Sequence, residues 1–580
     1  ASYPFLADHT PSPPGFKHQC GLKNLKESAN NCGICALIAV CVRNFLPHLH
    51  EYLNDETAQS MRPGFEFPET FQFWLASRRQ GTPGFSIYTE ASHLNNVYEV
   101  GEVAFVIRDA DVALHNKFPG RLIQDYPGTA ETLNRARSWL VSCQEKHPLC
   151  RFEEAQLPTR VLDVQSRMAD TTITLVDSEG LSARYATLSY CWGLSGNLKT
   201  TKANIQAHRN GIKIDTLPKT IREAVITAQH LSLRYLWVDA LCIIQDDTED
   251  WEQEAQRMAR VYASAYINIS ALGAADTSNG CFMRRPADRG AVPLLYHLED
   301  GTECKVFATI AYQLAMGTEK HDLSGYPASI RAWTLQERIL ARRTLHFAAE
   351  QMFFECAWGF QSEDGFLEHR GKIDDTPSTA RLGGKPSIFV EGDMASTHFS
   401  GYEGWARLVN IYGTRLLTKS SDKLPAFSGI AQRYEEMLQD TFVAGLWKSR
   451  IIEDLHWSSE SWYIPPDYRA PSWSWMSIDG PIHMPDMAGK NTGRKCATVL
   501  DYHLEVKGQN RYGEITAGWL KIEAPLEEVI DDRIFGFRPS EGNLRVMVEI
   551  PHDLFDKLRI FTLMLYTTGS IPWTALLITP

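Results

Sequence analysis

The chain has 580 residues, 44% of them hydrophobic and 22% charged, so roughly two to four globular domains are expected. Its formal net charge of -12 argues against a nucleic-acid-binding surface as the main function. The longest apolar run, Cys35 to Val42, is shorter than the roughly 20 residues that span a bilayer. Residues 1–17 lack the apolar core of a signal peptide, so we expect a cytoplasmic protein that binds neither nucleic acid nor membrane.

The first 150 residues are interpreted as a helical N-terminal region with a candidate zinc site. Cysteines in a reducing compartment favour free thiols or metal ligands over disulfides. Cys32 and Cys35 have the two-residue spacing of a tetrahedral Zn²⁺ site. Cys143, His147 and Cys150 supply three further ligands within one or two helical turns. The sequence predicts a structural zinc ion held by the first pair and members of the second group; the alternative is a set of unrelated free thiols.

Residues 151–373 alternate strand-like and helix-like segments, which is typical of an α/β domain. The apolar strands Tyr185–Tyr190 and Tyr235–Val238 each stop in a polar turn, at Ser189 and Asp239 respectively. The helix between them implies parallel pairing. Ligands of such sheets bind beyond the carboxyl ends of the strands, so these two polar residues are expected at one site.

The helix that follows, with Asp250 as its expected cap, carries the sharpest catalytic candidate. Glu254 lies three residues after Trp251 and four before Met258, which places it on or beside the apolar stripe. A carboxylate there is either paired or raised in pKa by desolvation. The two interpretations are a buried ion pair with an arginine, and a general base or a group that stabilises a cationic transition state.

A second carboxylate, Glu337, lies one turn from Trp333. It is interpreted either as a salt-bridge partner of Arg331 or Arg338 that joins two helices, or as a ligand-binding group. Candidate ligand-binding residues fall in the same strand-end and helical segments: Tyr190, Trp192, Gly193, Trp237, Gln245, Asp246, Trp333, Gln336, Glu337 and Arg338.

Residues 374–580 are interpreted as a C-terminal α+β region that is rich in tryptophan and short strands. Asp374–Ser387, with its proline and paired glycines, is the candidate linker. Tyr468–Trp475 alternates serine and tryptophan, which predicts an edge strand with one aromatic face. This face would either pack on the neighbouring domain or stack on a sugar or base.

The central segments together resemble the fungal heterokaryon incompatibility (HET) domain. The resemblance rests on Tyr185–Gly193, Leu217-Pro218, Tyr235–Asp246, Asp250–Tyr262 and Arg331–Arg338, in that order, with the Cys/His cluster and Pro471–Trp475 as flanks. It covers residues from about 135 to about 480. It implies a central parallel sheet similar to those of TIR domains or flavodoxin, with a helical N-terminal extension and a β-containing C-terminal region. It also implies a role in self/non-self recognition and cell death in filamentous fungi.

Some Toll/interleukin-receptor (TIR) domains cleave NAD⁺ with one glutamate, and by this distant similarity Glu254 is the counterpart. In that interpretation Ser189 and Asp239 hold ribose hydroxyls, and Trp192 or Trp237 stacks on a ring. The expected partners are a small molecule or nucleotide, a second copy of the chain, or a partner incompatibility protein. The alternatives are a biosynthetic enzyme of fungal secondary metabolism (a cyclase, transferase or hydrolase) and a non-catalytic scaffold that oligomerises.

Overall fold

The computed structural model of the chain describes residues 15–52, 72–78, 82–91, 96–165, 171–193, 197–285, 290–311, 323–366, 368–370, 401–461, 463–484, 494–495, 497–508, 510–524, 526–528, 559–568 and 571–579. The predicted linker, Asp374–Ser387, lies outside these residues. Within the described ranges, no helix has the length and apolar character needed to cross a membrane.

The N-terminal part of the chain combines helices with an antiparallel sheet. Its elements are β1 (Phe16–Cys20), α1 (Leu22–Ala29), α2 (Gly33–Tyr52), β2 (Gln72–Ser77), β3 (Gly84–Ala91), β4 (Asn96–Val106) and α3 (Ala130–Lys146). Strands β1 to β4 pair in chain order. This sheet corrects the prediction of a helical N-terminal region. In β2 the alternate residues Phe73 and Leu75 are buried, which is the period of a half-buried strand and not of a helix.

The central part of the chain contains most of the strands. Its elements are β5 (Ala155–Gln156), β6 (Arg160–Asp163), β7 (Thr172–Asp177), β8 (Ser182–Ala183), β9 (Tyr185–Ser189), α4 (Ile205–Asn210), β10 (Ile212–Lys213), α5 (Lys219–His230), β11 (Tyr235–Trp237), α6 (Asp239–Cys242), α7 (Thr248–Ala263), β12 (Ile267–Ser270), β13 (Val292–His297), β14 (Glu303–Ala311), α8 (Pro327–Ile330), α9 (Ala332–Leu340), β15 (Arg343–Phe347), β16 (Met352–Cys356), β17 (Gly359–Ser362) and β18 (Glu368–Arg370). The β13–β14 hairpin does not join the central sheet; it pairs with β4 and completes the N-terminal one.

The central sheet has ten strands in the order β10-β7-β6-β11-β9-β12-β15-β16-β17-β18. The four middle strands, β11, β9, β12 and β15, pair in parallel, whereas their outer neighbours pair antiparallel. The sheet is therefore mixed, although β9 and β11 do pair in parallel as predicted. From β9 the chain passes to β11 on one side and then to β12 on the other. This reversal is a topological switch point, where ligands of open α/β sheets bind at the carboxyl ends of the strands.

One face of the parallel strands carries polar side chains. The Asn268 amide oxygen on β12 accepts hydrogen bonds from the hydroxyls of Thr187 and Ser189 on β9, both at 3.1 Å. By register, Thr344 and His346 on β15 continue this row. Because a buried polar group without a partner is costly, a polar row of this kind needs polar groups above it. Helix α9 supplies one of them, Glu337, at the Ser189 hydroxyl.

Helix α7 is held by charged contacts at its first turn. Asp247 caps it by accepting a hydrogen bond from the Asp250 backbone N–H. The predicted cap, Asp250, instead pairs with Arg160, whose Nη2 lies 2.6 Å from each carboxylate oxygen. The pair joins the start of α7 to β6, because Arg160 is the first residue of that strand.

The C-terminal part of the chain packs around α9. Its elements are α10 (Gly401–Gly413), α11 (Ser428–Leu438), β19 (Phe442–Val443), β20 (Leu446–Trp447), α12 (Ile451–Asp454), β21 (Arg494–Lys495), β22 (Thr498–Val506), β23 (Ile515–Glu523), β24 (Leu526–Glu528), β25 (Arg559–Thr568) and β26 (Ile571–Thr579). Leu335 and Ile339 of α9 belong to the same buried cluster as Trp405 and Trp447. Helix α9 is thus shared between the central sheet and the C-terminal core.

The segment Tyr468–Trp475 is not the predicted edge strand. Ser474 accepts a hydrogen bond from the Met476 backbone N–H and starts a short 3-10 turn. Trp475 is fully buried in the C-terminal core, where its indole N–H donates to the Gly445 carbonyl at 2.8 Å. Trp475 therefore packs inside the protein, and its ring is not available to stack on a sugar or base.

Candidate functional site

The carboxyl ends of β9, β11 and β12 bring together a group of buried and half-buried polar side chains. Ser189 is the last residue of β9, and Asp239 follows β11 by two positions. Glu337, in the middle of α9, lies against the Ser189 and Tyr262 hydroxyls. We call Ser189, Asp239, Tyr262, Arg331 and Glu337 the strand-end cluster. Each member comes from a different element or connection, so only the folded sheet assembles it.

Glu337 is the most perturbed carboxyl of this cluster. Its residue is 5% exposed, and its Oε2 atom has no hydrogen-bond partner within the described part of the chain. Burial raises the pKa of the carboxyl to about 7. The negative charge of Asp239 adds to this rise, while the Ser189 and Tyr262 hydroxyls and the Arg331 charge oppose it. At neutral pH Glu337 is therefore poised between its acid and its base forms.

Asp239 is the second carboxyl of the cluster. The Trp192 indole N–H donates to its Oδ2 at 2.9 Å, and the Ala240 backbone N–H donates to its Oδ1 at 2.7 Å. Burial raises the pKa of Asp239, and the nearby Arg331 charge and these hydrogen bonds oppose the rise. Arg331 is also anchored, since its Nη1 donates to the Tyr190 carbonyl. One guanidinium therefore faces two carboxyls.

The two predicted stacking tryptophans differ in access. Trp237 is fully buried, with its ring edge-to-face against Tyr262 at a centroid distance of 5.7 Å. Trp192 is only partly buried, and the Lys199 ammonium lies 5.1 Å from its ring centroid. A ligand ring arriving from solvent could reach Trp192 without disturbing the core, whereas reaching Trp237 would require repacking.

The other predicted ligand-binding residues around β11 make local contacts. The Gln245 amide donates to the Asp239 carbonyl at 3.1 Å, which supports the backbone of the cluster. Asp246 accepts from the Lys202 backbone N–H at 2.8 Å and is exposed. Gly193 has a φ of 76°, and a Cβ there would lie 2.6 Å from the Asp276 Cβ. Glycine is therefore required at this turn for both conformation and space.

Three predicted residues of α9 point their polar groups away from Ser189 and Asp239. The Trp333 indole donates to Asp422 at 3.1 Å, and the Gly429 backbone N–H donates to Gln336 at 2.6 Å. Arg338 makes two hydrogen bonds of 2.9 Å to Glu355 on β16. These contacts hold α9 from both sides and thereby position Glu337 between them.

Glu254 lies in a different environment. It is 1% exposed, as its place beside the apolar stripe suggests. Its Oε1 accepts a hydrogen bond from Thr159 at 2.7 Å and lies 3.0 Å from Arg257 Nη1. The ion-pair alternative considered for this residue therefore describes its contacts. Its catalytic role stays a prediction.

The sequence did not predict a polar role for two residues at this site, Tyr262 of the strand-end cluster and Asn268 on β12. Tyr262 lies on the buried side of α7, where its hydroxyl donates to the Leu188 carbonyl at 3.2 Å and faces Glu337. Asn268 is a polar residue within the buried strand β12, and its amide nitrogen has no hydrogen-bond partner among the described residues. A buried amide between isoleucines was the available signal, because such residues need a polar reason to be there.

A second cluster lies at the opposite, amino-terminal edge of the parallel strands. One potential ligand atom from each of Cys143, His147, Cys150 and Cys356 lies within 4.8 Å of all the others. Three of the predicted zinc ligands are thus brought together, and Cys356 takes the place assigned to Cys32 and Cys35. That pair instead sits in the N-terminal region, where Cys35 Sγ lies 3.5 Å from His18 Nε2. The long-range partner was missed because spacing reports only near neighbours in the chain.

The strand order and the buried carboxyls define an α/β domain with a candidate small-molecule site at its strand ends. Residues 185–337 match the model of a protein family described as Heterokaryon incompatibility protein (HET). The matched segment starts at the first residue of β9 and ends at Glu337, so it contains the whole strand-end cluster. The resemblance to the HET domain is therefore confirmed for residues 185–337. No curated protein and no solved structure matches the chain.

Proposed function

We propose that the chain is a heterokaryon incompatibility effector whose strand-end cluster cleaves NAD⁺ at the bond between nicotinamide and ribose. The HET family match supports the biological role, which is incompatibility between fungal cells. The chemistry rests on one observation, the buried Glu337 carboxyl beside Ser189 and Asp239 at a switch point. We choose NAD⁺ as the substrate because the HET resemblance implies a distant similarity to TIR domains, some of which cleave NAD⁺.

The reaction needs a carboxylate close to a developing positive charge. When the glycosidic C–N bond breaks, its electron pair leaves with nicotinamide, and the ribose becomes an oxocarbenium-like cation. Ionised Glu337 would stabilise this cation, and it would then accept the proton that water loses as it attacks the ribose carbon. Ser189 and Asp239 would hold ribose hydroxyls, and Trp192 would stack on a ring. The products are nicotinamide, ADP-ribose and a proton.

The choice between the two buried glutamates is made on their partners. Glu254 has Arg257 and Thr159 at hydrogen-bond distance, so its charge is already engaged. Each glutamate also has one carboxylate oxygen without a hydrogen-bond partner among the described residues. Glu337 differs in that it lies beside hydroxyls and a second carboxyl, Asp239, and in that burial raises its pKa. A group that must bind a cationic transition state is more effective when no resident cation is hydrogen-bonded to it, and Arg331 acts on Glu337 through its charge. We therefore place the catalytic carboxylate at Glu337 and keep Glu254 as the competing candidate.

The experiment is a measurement of nicotinamide release from NAD⁺ by purified protein. Glu337→Gln keeps the shape of the side chain and should reduce the rate about 100-fold or more. Glu254→Gln should reduce it less than about 3-fold, because it alters an ion pair outside the cluster. Glu223→Gln, a buried glutamate that accepts from the Phe282 backbone N–H, is the matched control. Wild-type rates should rise between about pH 6 and about pH 8 as Glu337 ionises.

Two outcomes would contradict the proposal. Equal rates in wild type and Glu337→Gln, with a loss in Glu254→Gln, would return the catalytic role to Glu254. An absence of nicotinamide release from folded wild-type protein, together with self-association in solution, would favour the non-catalytic scaffold.

A further inference from the structure

We infer that Cys143, His147, Cys150 and Cys356 bind one Zn²⁺ ion that clamps α3 to strand β16. This site does not depend on the proposed function, because it lies at the other edge of the sheet. Arg343 pairs with Cys356 at the start of β15, whereas the strand-end cluster lies at the carboxyl ends of the strands. The ion would therefore act on folding and not on substrate.

The local sequence places three ligands around one point. Cys143 lies in the last turn of α3, and His147 follows that helix directly, with its backbone N–H donating to the Cys143 carbonyl. His147 leaves the helix with extended backbone angles, and Pro148 then opens a single 3-10 turn that ends at Cys150. Proline at this position ends the helix and turns the chain back. A Cys-x-x-x-His-x-x-Cys segment is thereby folded into a three-ligand cup.

The fourth ligand comes from a distant strand. Cys356 is the last residue of β16, and its Sγ lies 3.5 Å from His147 Nδ1. In a tetrahedron with Zn–S bonds of about 2.3 Å and a Zn–N bond of about 2.0 Å, neighbouring ligand atoms are about 3.5 to 3.8 Å apart. The Cys356–His147 separation matches this value, and all four ligand atoms lie within 4.8 Å of one another, close enough for one ion to draw them together. The Cys143, Cys150 and Cys356 side chains are buried, which suits a closed structural site.

The donor set selects the metal. Three thiolates and an imidazole are soft and borderline ligands that favour zinc over magnesium or calcium. Four protein ligands complete a tetrahedron and leave no open position for water or substrate, so the site is structural. Three thiolates around Zn²⁺ carry a net charge of one negative, which needs a neighbouring cation when it is buried.

Arg343 supplies that cation. It is 0% exposed, its Nε donates to Cys143 Sγ at 3.3 Å, and its Nη2 donates to the Cys150 carbonyl. Outer hydrogen bonds of this kind orient thiolate ligands and stabilise their charge. The Trp358 ring stacks on His147 at a centroid distance of 5.5 Å and restricts the orientation of the imidazole. Arg343 also donates to the Tyr266 carbonyl at 3.0 Å and to the Gln144 amide oxygen at 2.6 Å. These acceptors are neutral, so thiolates at the cluster would supply the negative charge that offsets the buried guanidinium.

The test is metal analysis of the full chain, purified without chelators after expression in zinc-supplemented medium. The wild type should hold one zinc per chain, and Cys356→Ser should hold less than a tenth of that. The double variant Cys32→Ser/Cys35→Ser should keep its zinc, since these residues lie in the N-terminal region. Cys242→Ser, at a buried thiol on α6, is the control for loss of a core cysteine.

Cobalt exchange keeps the proposal testable if Cys356→Ser does not fold. Wild-type protein refolded with Co²⁺ should show the strong visible bands of a tetrahedral ion and a thiolate-to-cobalt charge-transfer band. Chelation at elevated temperature should lower the melting temperature and expose three additional reactive thiols. Zinc-free wild-type protein without a cobalt spectrum would overturn the inference. Loss of zinc in the Cys32→Ser/Cys35→Ser variant would overturn the ligand assignment.

Discussion

The surroundings of Glu254 and Glu337 show two ways in which this fold treats a buried glutamate. Both residues are on helices that pack against the central sheet, and they are 1% and 5% exposed respectively. Glu254 meets Arg257 at 3.0 Å and Thr159 at 2.7 Å. Glu337 meets hydroxyls and a second carboxyl, Asp239, and burial raises its pKa to about 7.

The difference teaches that position on an apolar stripe does not by itself mark a functional carboxylate. Burial costs both residues solvation, but only at Glu254 does a dedicated cation offset that cost. Arg338, the cation next to Glu337 in sequence, is instead engaged by Glu355. The fold therefore leaves one glutamate destabilised at neutral pH. Carboxyl groups whose pKa is shifted by burial in this way are often found at functional sites.

The largest effect is expected at Glu355, a third buried glutamate, because its carboxylate contacts two basic side chains. It is 0% exposed and contacts both Arg338 and His346. Burial tends to raise its pKa, but the Arg338 charge and the His346 hydrogen bond hold it well below its usual range. Glu355→Gln should lower the free energy of unfolding by about 3 to 5 kcal/mol at neutral pH, because it removes the buried carboxylate charge that both Arg338 and His346 contact. Urea denaturation measures this loss.

The contribution of the Glu355 carboxylate to stability should depend on pH. A depressed pKa stabilises the fold above the unfolded value of about 4.5, and this stabilisation is lost as the pH falls below it. The deficit of Glu355→Gln should therefore shrink in acid. The double variant Glu355→Gln/Arg338→Met should recover part of the loss, since it removes both charges. A deficit below about 1 kcal/mol at neutral pH would show that the pair is not stabilising.

Glu337→Gln should raise the free energy of unfolding, in contrast to Glu355→Gln, and by a somewhat smaller amount. The folded pKa of Glu337 is raised from 4.5 to about 7, so the folded state is progressively disfavoured as the pH rises through this window. The variant cannot lose a proton there and should be more stable than wild type by about 3 kcal/mol at pH 8 or so. Near pH 4.5 the two proteins should be equally stable. Thermal unfolding across this pH range provides the measurement.

An exposed glutamate controls for a general charge effect. Glu252→Gln, on the solvent side of α7, should change stability by less than about 0.5 kcal/mol at any pH. If Glu337→Gln is destabilising at high pH, then Glu337 is compensated in the folded protein and the contrast with Glu254 fails.

Arg257→Ala should have the smallest effect of the three. The Arg257 side chain is 53% exposed, so solvent screens its attraction to Glu254, and the Thr159 hydrogen bond remains in the variant. We expect a loss of about 1 kcal/mol that diminishes at high ionic strength. A double-mutant cycle with Glu254→Gln isolates the pair energy. A coupling of zero would mean that Glu254 is as uncompensated as Glu337.

The local sequence determined the elements and much of the membership of each site. Alternation and apolar runs located β9, β11 and β12, and helical spacing located α7. Ser189 and Asp239 were marked by polar residues that end apolar strands. Cys143, His147 and Cys150 were marked by spacing within one or two helical turns. These features depend on near neighbours in the chain, whose geometry the helix and strand repeats prescribe.

The long-range partners of these residues and strands could be seen only in the tertiary structure. Cys356 joins His147 across 209 positions, and the β13–β14 hairpin completes an N-terminal sheet that the first 150 residues do not reveal. The absence of an Arg338 ion pair at Glu337 was also settled at this level, because Glu355 on β16 engages Arg338. The partner of Glu254, Arg257, lies only three residues away in the sequence. Burial and charge compensation are sums over everything packed around a group. They are therefore properties of the folded chain, which residue spacing cannot supply.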